Sequence, residues 1–227
     1  GGLNRQRIKG KVAALEALLE QYPVEGVCGI AHTRWATHGV PSDRNAHPMT
    51  SGDQVALVHN GIIENHDELR KELVAQGVAF TSETDTEVMV HLVASFMNGG
   101  QTLFEAVQNA VGRLHGAFAI AVVAAAEPGV VVGARRGSPM VLGLGDGENF
   151  LASDIYPLLP VTKRCVYLEE GDVVRLDKDE FTIVDEAGVV VEREERLVDL
   201  DADQVQRGED PHYMLKEIYE QPQKVAE

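Results

Sequence analysis

The stretch His32-Thr33-Arg34-Trp35-Ala36-Thr37-His38-Gly39 decides how this chain is read. It gathers two histidines, an arginine, two threonines and the sole tryptophan within one short run. The apolar residues Val27-Cys28-Gly29-Ile30-Ala31 lead into it, and Pro41 with Ser42-Asp43-Arg44-Asn45 leads out. That order predicts a buried strand over 27–31 that delivers polar side chains to a strand end, where sites commonly lie. Arg34 suits a carboxylate, because its planar fork can pair with both oxygens at once. Thr37 and His38 can add donors to the same anion.

Working outward, Val55-Ala56-Leu57-Val58-His59 reads as a second buried strand, ending at Asn60-Gly61. A glycine at a strand end lets backbone approach a ligand closely. The Asn60 side-chain NH2 beside the Gly61 N–H would supply two convergent donors, as an oxyanion hole requires. Asn-Gly is also the commonest hairpin dipeptide. Against a hairpin, Asn65-His66-Asp67-Glu68 predicts a capped helix start, running through Gln76 and closed by Gly77.

Thr84 with Glu87 predicts a capping box opening a helix to about Asn98. Asp85 then falls in the first turn and has two readings. It stabilises the helix N-terminus, or it accepts from a ligand ammonium. Thr102 with Glu105 opens a third helix in the same manner, ending near Gly116. Upstream, residues 11–21 read as an amphipathic helix stopped by Pro23, and Asn45-Ala46-His47-Pro48 as a turn.

From Ala117 the texture changes to short apolar runs separated by Gly, Pro and Asp. Runs at 117–123, 130–134, 140–144 and 149–152 predict successive buried strands, and those at 165–168, 173–176, 181–184 and 189–191 a meander. An acidic connector over 199–210 and a capped helix over 211–222 close the pattern.

A net charge of -16, concentrated toward the C-terminal third, argues against nucleic acid or an anionic membrane as partner. No apolar run is long enough to span a bilayer, and no signal-peptide pattern is present. With only Cys28 and Cys165, both in apolar runs, a reduced cytoplasmic protein is expected, with Cys28 in the core. No glycine loop has Walker or Rossmann spacing, so no cofactor is expected. His32, His38, His47, His59 and His66 form no helical ligand pair, so no metal is expected either.

Together these motifs resemble the glutaminase domain of the glutamine–fructose-6-phosphate aminotransferases, a class II glutamine amidotransferase. The carriers are His32 to Gly39, Asn45-Ala-His-Pro48, His59-Asn-Gly-Ile-Ile-Glu-Asn65, Ser82-Glu-Thr-Asp-Thr-Glu87, Gly137-Ser-Pro139 and His212 to Pro222. The resemblance implies an α+β fold of the N-terminal-nucleophile hydrolase type, a four-layer αββα sandwich with two antiparallel sheets. It implies an amidotransferase domain over 1–210 and, over 211–227, a linker helix toward a sugar isomerase domain that holds the fructose 6-phosphate site.

The chemistry it implies is attack by an N-terminal cysteine on the side-chain amide of L-glutamine, with its own α-amine as base. The released ammonia then serves glucosamine-6-phosphate synthesis in a homodimeric parent. Carried over, Arg34, Thr37 and His38 hold the glutamine α-carboxylate, Asp85 holds the α-ammonium, and Asn60 with Gly61 forms the oxyanion hole. Trp35 stands at the ammonia route, and His47 supports the site.

The sequence departs from the family at its start. The family opens with Cys-Gly-Ile, an arginine-rich helix and a Tyr-Arg-Gly-Tyr-Asp-Ser segment, whereas this sequence begins at Gly1-Gly2, downstream of all three, and Cys28-Gly29-Ile30 imitates the first motif from an internal position. The expectation is therefore a domain without its nucleophile, inactive alone. Two classes stay open: an enzyme domain whose start is absent, from this or another class II amidotransferase, and a non-catalytic glutamine-binding module.

Overall fold

The computed structural model describes residues 2–199, together with Leu215, Ile218, Tyr219 and Gln221. In chain order the elements are α1 (Val12–Gln21), β1 (Met49–Ser51), β2 (Val55–Ile63), α2 (His66–Ala75), α3 (Thr86–Asn98) and α4 (Leu103–Val111). There follow β3 (Gly116–Ala124), β4 (Val131–Arg136), β5 (Val141–Leu144), β6 (Asn149–Ala152) and β7 (Arg164–Tyr167). The last are β8 (Val173–Leu176), β9 (Phe181–Val184), β10 (Val190–Val191) and β11 (Glu195–Leu197).

The strands pair antiparallel into two sheets, one ordered β1-β2-β3-β4-β8-β9-β10 and the other β11-β7-β5-β6. The alternation of a strand explains how they stack. Along β3, Phe118, Ile120, Val122 and Ala124 face a core shared with α2, α3 and α4, whereas Ala119 faces the second sheet. Met140, Leu142, Val166, Val174 and Ile183 fill the layer between the sheets. Beyond the smaller sheet, Val141 and Cys165 pack against Ile155, Leu158 and Leu159 around a short 3-10 turn. This is the α+β arrangement with two stacked antiparallel sheets that the resemblance implies.

Helix α3 lies over β1 and β2 between its neighbours α2 and α4, which is why Val88, Met89, Val90, Leu92 and Val93 are all buried. Full burial of such side chains stabilises by about 1.5–3 kcal/mol each. The Thr102–Glu105 capping box forms in full, but α4 ends at Val111, short of Gly116.

Several expectations are corrected. Residues 27–31 form no strand; Val27 is 89% exposed and Cys28 is exposed rather than in the core. Their apolar run lacks a partner edge in the described residues. Strand β2 does not stop at Asn60-Gly61 but continues to Ile63, because β3 pairs with it along its whole length, from Val55 opposite Ala124 to Ile63 opposite Gly116.

Asn65 does not cap α2 through its side chain; it donates instead to the Arg113 carbonyl and accepts from the His115 N–H. The expected meander over 165–191 is split: β7 joins the smaller sheet, while β8, β9 and β10 extend the larger. The acidic connector beyond Asp199 and nearly all of the 211–222 helix lie outside the described residues; Leu215, Ile218, Tyr219 and Gln221 are helical. Among the described residues, no helix is long and apolar enough to cross a membrane.

Candidate active site

Two polar segments distant in sequence are locked together first. Asn45, fully buried, donates to the Val40 carbonyl at 2.9 Å and to Glu83 Oε2 at 2.9 Å, and accepts from the Glu83 N–H at 3.1 Å. This clamp ties the loop after the octet to the 81–87 segment. Gly39 sits beneath it with φ +78°, and a Cβ there would meet Asn45 Nδ2 at 2.7 Å.

The 81–87 segment is itself organised by a buried carboxylate. Glu87 accepts from the N–H and hydroxyl groups of both Thr81 and Ser82, at 2.6–2.8 Å. Burial pushes the Glu87 pKa up, but His91, Thr81 and Ser82 outweigh it and hold the carboxyl at about 2. Thr84 Oγ1 accepts from the Glu87 N–H, half of the expected capping box. The other half is missing because the Glu87 carboxylate is occupied by the loop.

Asp85 is 3% exposed at the start of α3. Its Oδ1 accepts from the Thr86 N–H at 3.0 Å and its Oδ2 from the Ile63 N–H at 2.9 Å. It therefore caps the helix and also pins the end of β2. Each carboxylate oxygen keeps a further lone pair for a ligand donor.

Asn60, in β2, lines the same cavity as this carboxylate. Gly61 has φ +123°, and an added Cβ would lie 2.0 Å from the Ala117 carbonyl oxygen, so only glycine fits. His32 Nε2 is 2.6 Å from Asn60 Oδ1. His47 joins His32 through their Nδ1 atoms at 3.0 Å, and Thr86 Oγ1 lies 3.1 Å from His47 Nε2 and 3.0 Å from His59 Nδ1. Burial, reinforced by neighbouring histidines, lowers the His47 pKa to about 2. Burial lowers His59 to about 4 against the opposing pull of Asp85, and it lowers His32 as well.

These groups line a cavity of about 360 Å³, within the roughly 300–1,000 Å³ range of small-molecule sites and at its small end. Arg34, Trp35, Thr37, His47, Asn60, Gly61 and Asp85 are on its wall. A larger cavity of about 650 Å³ beside α1 shares His32, Arg34 and His47 but lacks the Asn60 and Asp85 groups. His38, expected beside Arg34, is not on the smaller cavity's wall; its ring packs edge-on against His66, 4.8 Å away, with Nδ1 3.9 Å from Asp85.

Arg34 Nη2 donates to the His38 carbonyl and, at 3.0 Å, to the Gly39 carbonyl. Its five N–H groups leave donors for a ligand carboxylate. Trp35 is 84% exposed at the rim. His32, His59 and Thr86 were not singled out as site residues from sequence, and neither was the Asn45 clamp. His59 immediately before Asn60, and Thr86 immediately after Asp85, were the available signals.

Comparisons with known proteins identify the family and the fold. A sequence model described as a glutamine amidotransferase domain matches residues 32–160. The glutamine–fructose-6-phosphate aminotransferase (isomerizing) of Pseudomonas putida is 52% identical over 222 residues, covering 98% of this chain and 36% of that protein. The Escherichia coli K12 protein of the same name is 50% identical, with the same coverage. This chain thus spans about a third of the length of these curated relatives.

Among solved structures, the glutamine phosphoribosylpyrophosphate amidotransferase of B. subtilis, complexed with ADP and GMP, aligns with TM-score 0.57 at 24% identity. That alignment covers 70% of this chain and 35% of the other, and it supports the fold. The octet, the Asn60-Gly61 bend and the Asp85 cap all fall within the matched 32–160 segment, and the chain belongs to the glutamine amidotransferase domain family.

Proposed function

We propose that this chain is the glutaminase part of an isomerizing glutamine–fructose-6-phosphate aminotransferase. In this reading L-glutamine enters the cavity with its α-carboxylate toward Arg34 and Thr37 and its α-ammonium toward Asp85. Its side-chain amide carbonyl meets the Asn60 NH2 and the Gly61 N–H. His38 backs the ammonium end from outside the cavity, with Nδ1 3.9 Å from Asp85. The observation that carries the reading is the convergence of a cation, a buried carboxylate and an amide donor in one amino-acid-sized cavity.

The attacking thiol comes from neither described cysteine. Cys28 lines a separate cavity with Val130, Phe150 and Arg175, and Cys165 is buried in the smaller sheet. That observation keeps a second reading, a glutamine-binding module without hydrolysis. A space of about 580 Å³ between the sheets, lined by Val58, Ala119, Ala121 and Leu151, reaches Asn60 and gives room for a nucleophile-bearing segment.

Exposed Trp35 suits the start of an ammonia route covered by a sugar isomerase domain, reached through a linker over 211–227. The parent is proposed to be a cytoplasmic homodimer. The test is steady-state glutaminase kinetics on the full-length parent. Asn60→Ala should lower kcat by about 10²–10³ with KM little changed, because the donor acts chiefly on the developing oxyanion. Glutamine binding with no glutamate release by the wild type would favour the second reading.

A further inference from the structure

We propose that His59, Thr86, His47 and His32 form a one-way hydrogen-bond relay that sets the orientation of the Asn60 amide, which makes His32 and Thr86 positioning residues for the oxyanion donor. The proposal rests on the glutaminase reading of the site. Its basis is a continuous chain of contacts: His59 Nδ1 to Thr86 Oγ1 at 3.0 Å, Thr86 Oγ1 to His47 Nε2 at 3.1 Å, His47 Nδ1 to His32 Nδ1 at 3.0 Å, and His32 Nε2 to Asn60 Oδ1 at 2.6 Å.

A neutral imidazole has one N–H and one bare nitrogen, so each ring passes its polarity to the next. Burial keeps His47 and His59 neutral near pH 7. With the Asn60 carbonyl oxygen facing His32, Nε2 of His32 carries the hydrogen and its Nδ1 is bare. His47 Nδ1 then donates to it, and His47 Nε2 is bare. Thr86 donates its hydroxyl hydrogen to that nitrogen and accepts from His59 Nδ1. Every contact is satisfied, and the Asn60 NH2 is left for the cavity.

The reverse polarity satisfies the same contacts but uses the Asn60 NH2 on His32. It turns the amide oxygen toward the place where the substrate oxyanion forms, which would be repulsive. The far end of the chain separates the two. His59 Nε2 is buried and has no hydrogen-bond partner. In the forward polarity it is a bare acceptor; in the reverse it is an N–H with nothing to donate to. Orphaned buried N–H groups are the rarer and costlier of the two. The fold therefore biases the amide toward the productive orientation from a point two side chains and a hydroxyl away.

The experiment uses the full-length parent and measures glutaminase kinetics. Thr86→Val keeps the shape and removes the hydroxyl. It should lower kcat about tenfold with KM for glutamine within about twofold, and Thr86→Ser should restore kcat. His32→Gln interrupts the chain next to Asn60 and should show the same split. In an Asn60→Ala background, Thr86→Val should lower kcat by less than about twofold further, because residues acting through one group are not additive.

A Thr86→Val kcat near wild type, or a loss that multiplies in full with Asn60→Ala, would overturn the relay while leaving Asn60 as the donor. An Asn60→Ala kcat near wild type would instead overturn the oxyanion-hole reading, and the relay with it.

Discussion

Arg34 and Asn60 face one cavity from supports of opposite kind. Asn60 stands in a nine-residue strand paired on one side along its whole length, and its side chain is held by His32. Arg34 stands in a stretch without helix or strand, over 22–42, held by two carbonyls of its own loop and by the Asn45 clamp further on. The difference matches the proposed division of labour. A donor aimed at a developing charge must be placed before the reaction, because reorganisation then would cost catalysis. A fork that grips a non-reacting carboxylate can close on it during binding.

The comparison breaks most visibly if the strand side proves adaptable. Gly61→Ala should destabilise the domain by about 3 kcal/mol or more, since φ +123° and the Ala117 carbonyl both exclude a side chain. Denaturant titration of the purified variant measures it, and a midpoint near wild type would mean that the bend relaxes freely.

Next is the carboxylate beneath the site. Glu87→Gln replaces an acceptor that serves four donors with a group that can itself only donate at one end, and should cost about 2 kcal/mol at pH 7. The wild-type Glu87 pKa is depressed from 4.5 to about 2. Its contribution is therefore fully present above pH 4.5 and fades as pH falls toward 2. The variant should lack that part of the acid transition. His47 and His59 act at higher pH: held at about 2 and about 4 against 6.5 when unfolded, they take up protons first in the unfolded state. Stability should be full above pH 6.5 and fall below it, by up to about 1.4 kcal/mol per pH unit per histidine.

On the loop side, Arg34→Lys keeps the charge and loses the fork. It should raise KM for glutamine by about tenfold and leave kcat within about twofold. A fall in kcat alone would show that the loop, like the strand, acts on the transition state. The smallest effect belongs to Cys28→Ser. This exposed residue should change stability by less than about 0.5 kcal/mol and leave glutaminase turnover unchanged. As an exposed thiol it should also be labelled by an alkylating reagent in the folded protein, whereas buried Cys165 should not.

Much of this was legible locally. Apolar runs with Gly and Pro punctuation marked β3 to β10, and Thr102 with Glu105 marked α4, because those signals act over a few residues. The octet, Asn60-Gly61 and Asp85 were legible as candidate site residues, and the fold brings Arg34, Thr37, Asn60, Gly61 and Asp85 onto one cavity. What local pattern could not decide was partnership across the fold. Nothing within 27–31 says whether an edge exists for it to pair with, so a strand pattern there yields exposed chain. Asn60-Gly61 carries a turn signal, and only the β3 partner carries the strand through it. The apolar texture of β7 matches that of β8, yet they enter different sheets. The relay joins residues 32, 47, 59 and 86, and hydrogen-bond polarity has no trace in sequence spacing. Composition and periodicity act on neighbours along the chain; register, clamp and tautomer are set by groups that only the folded chain brings within about 3 Å.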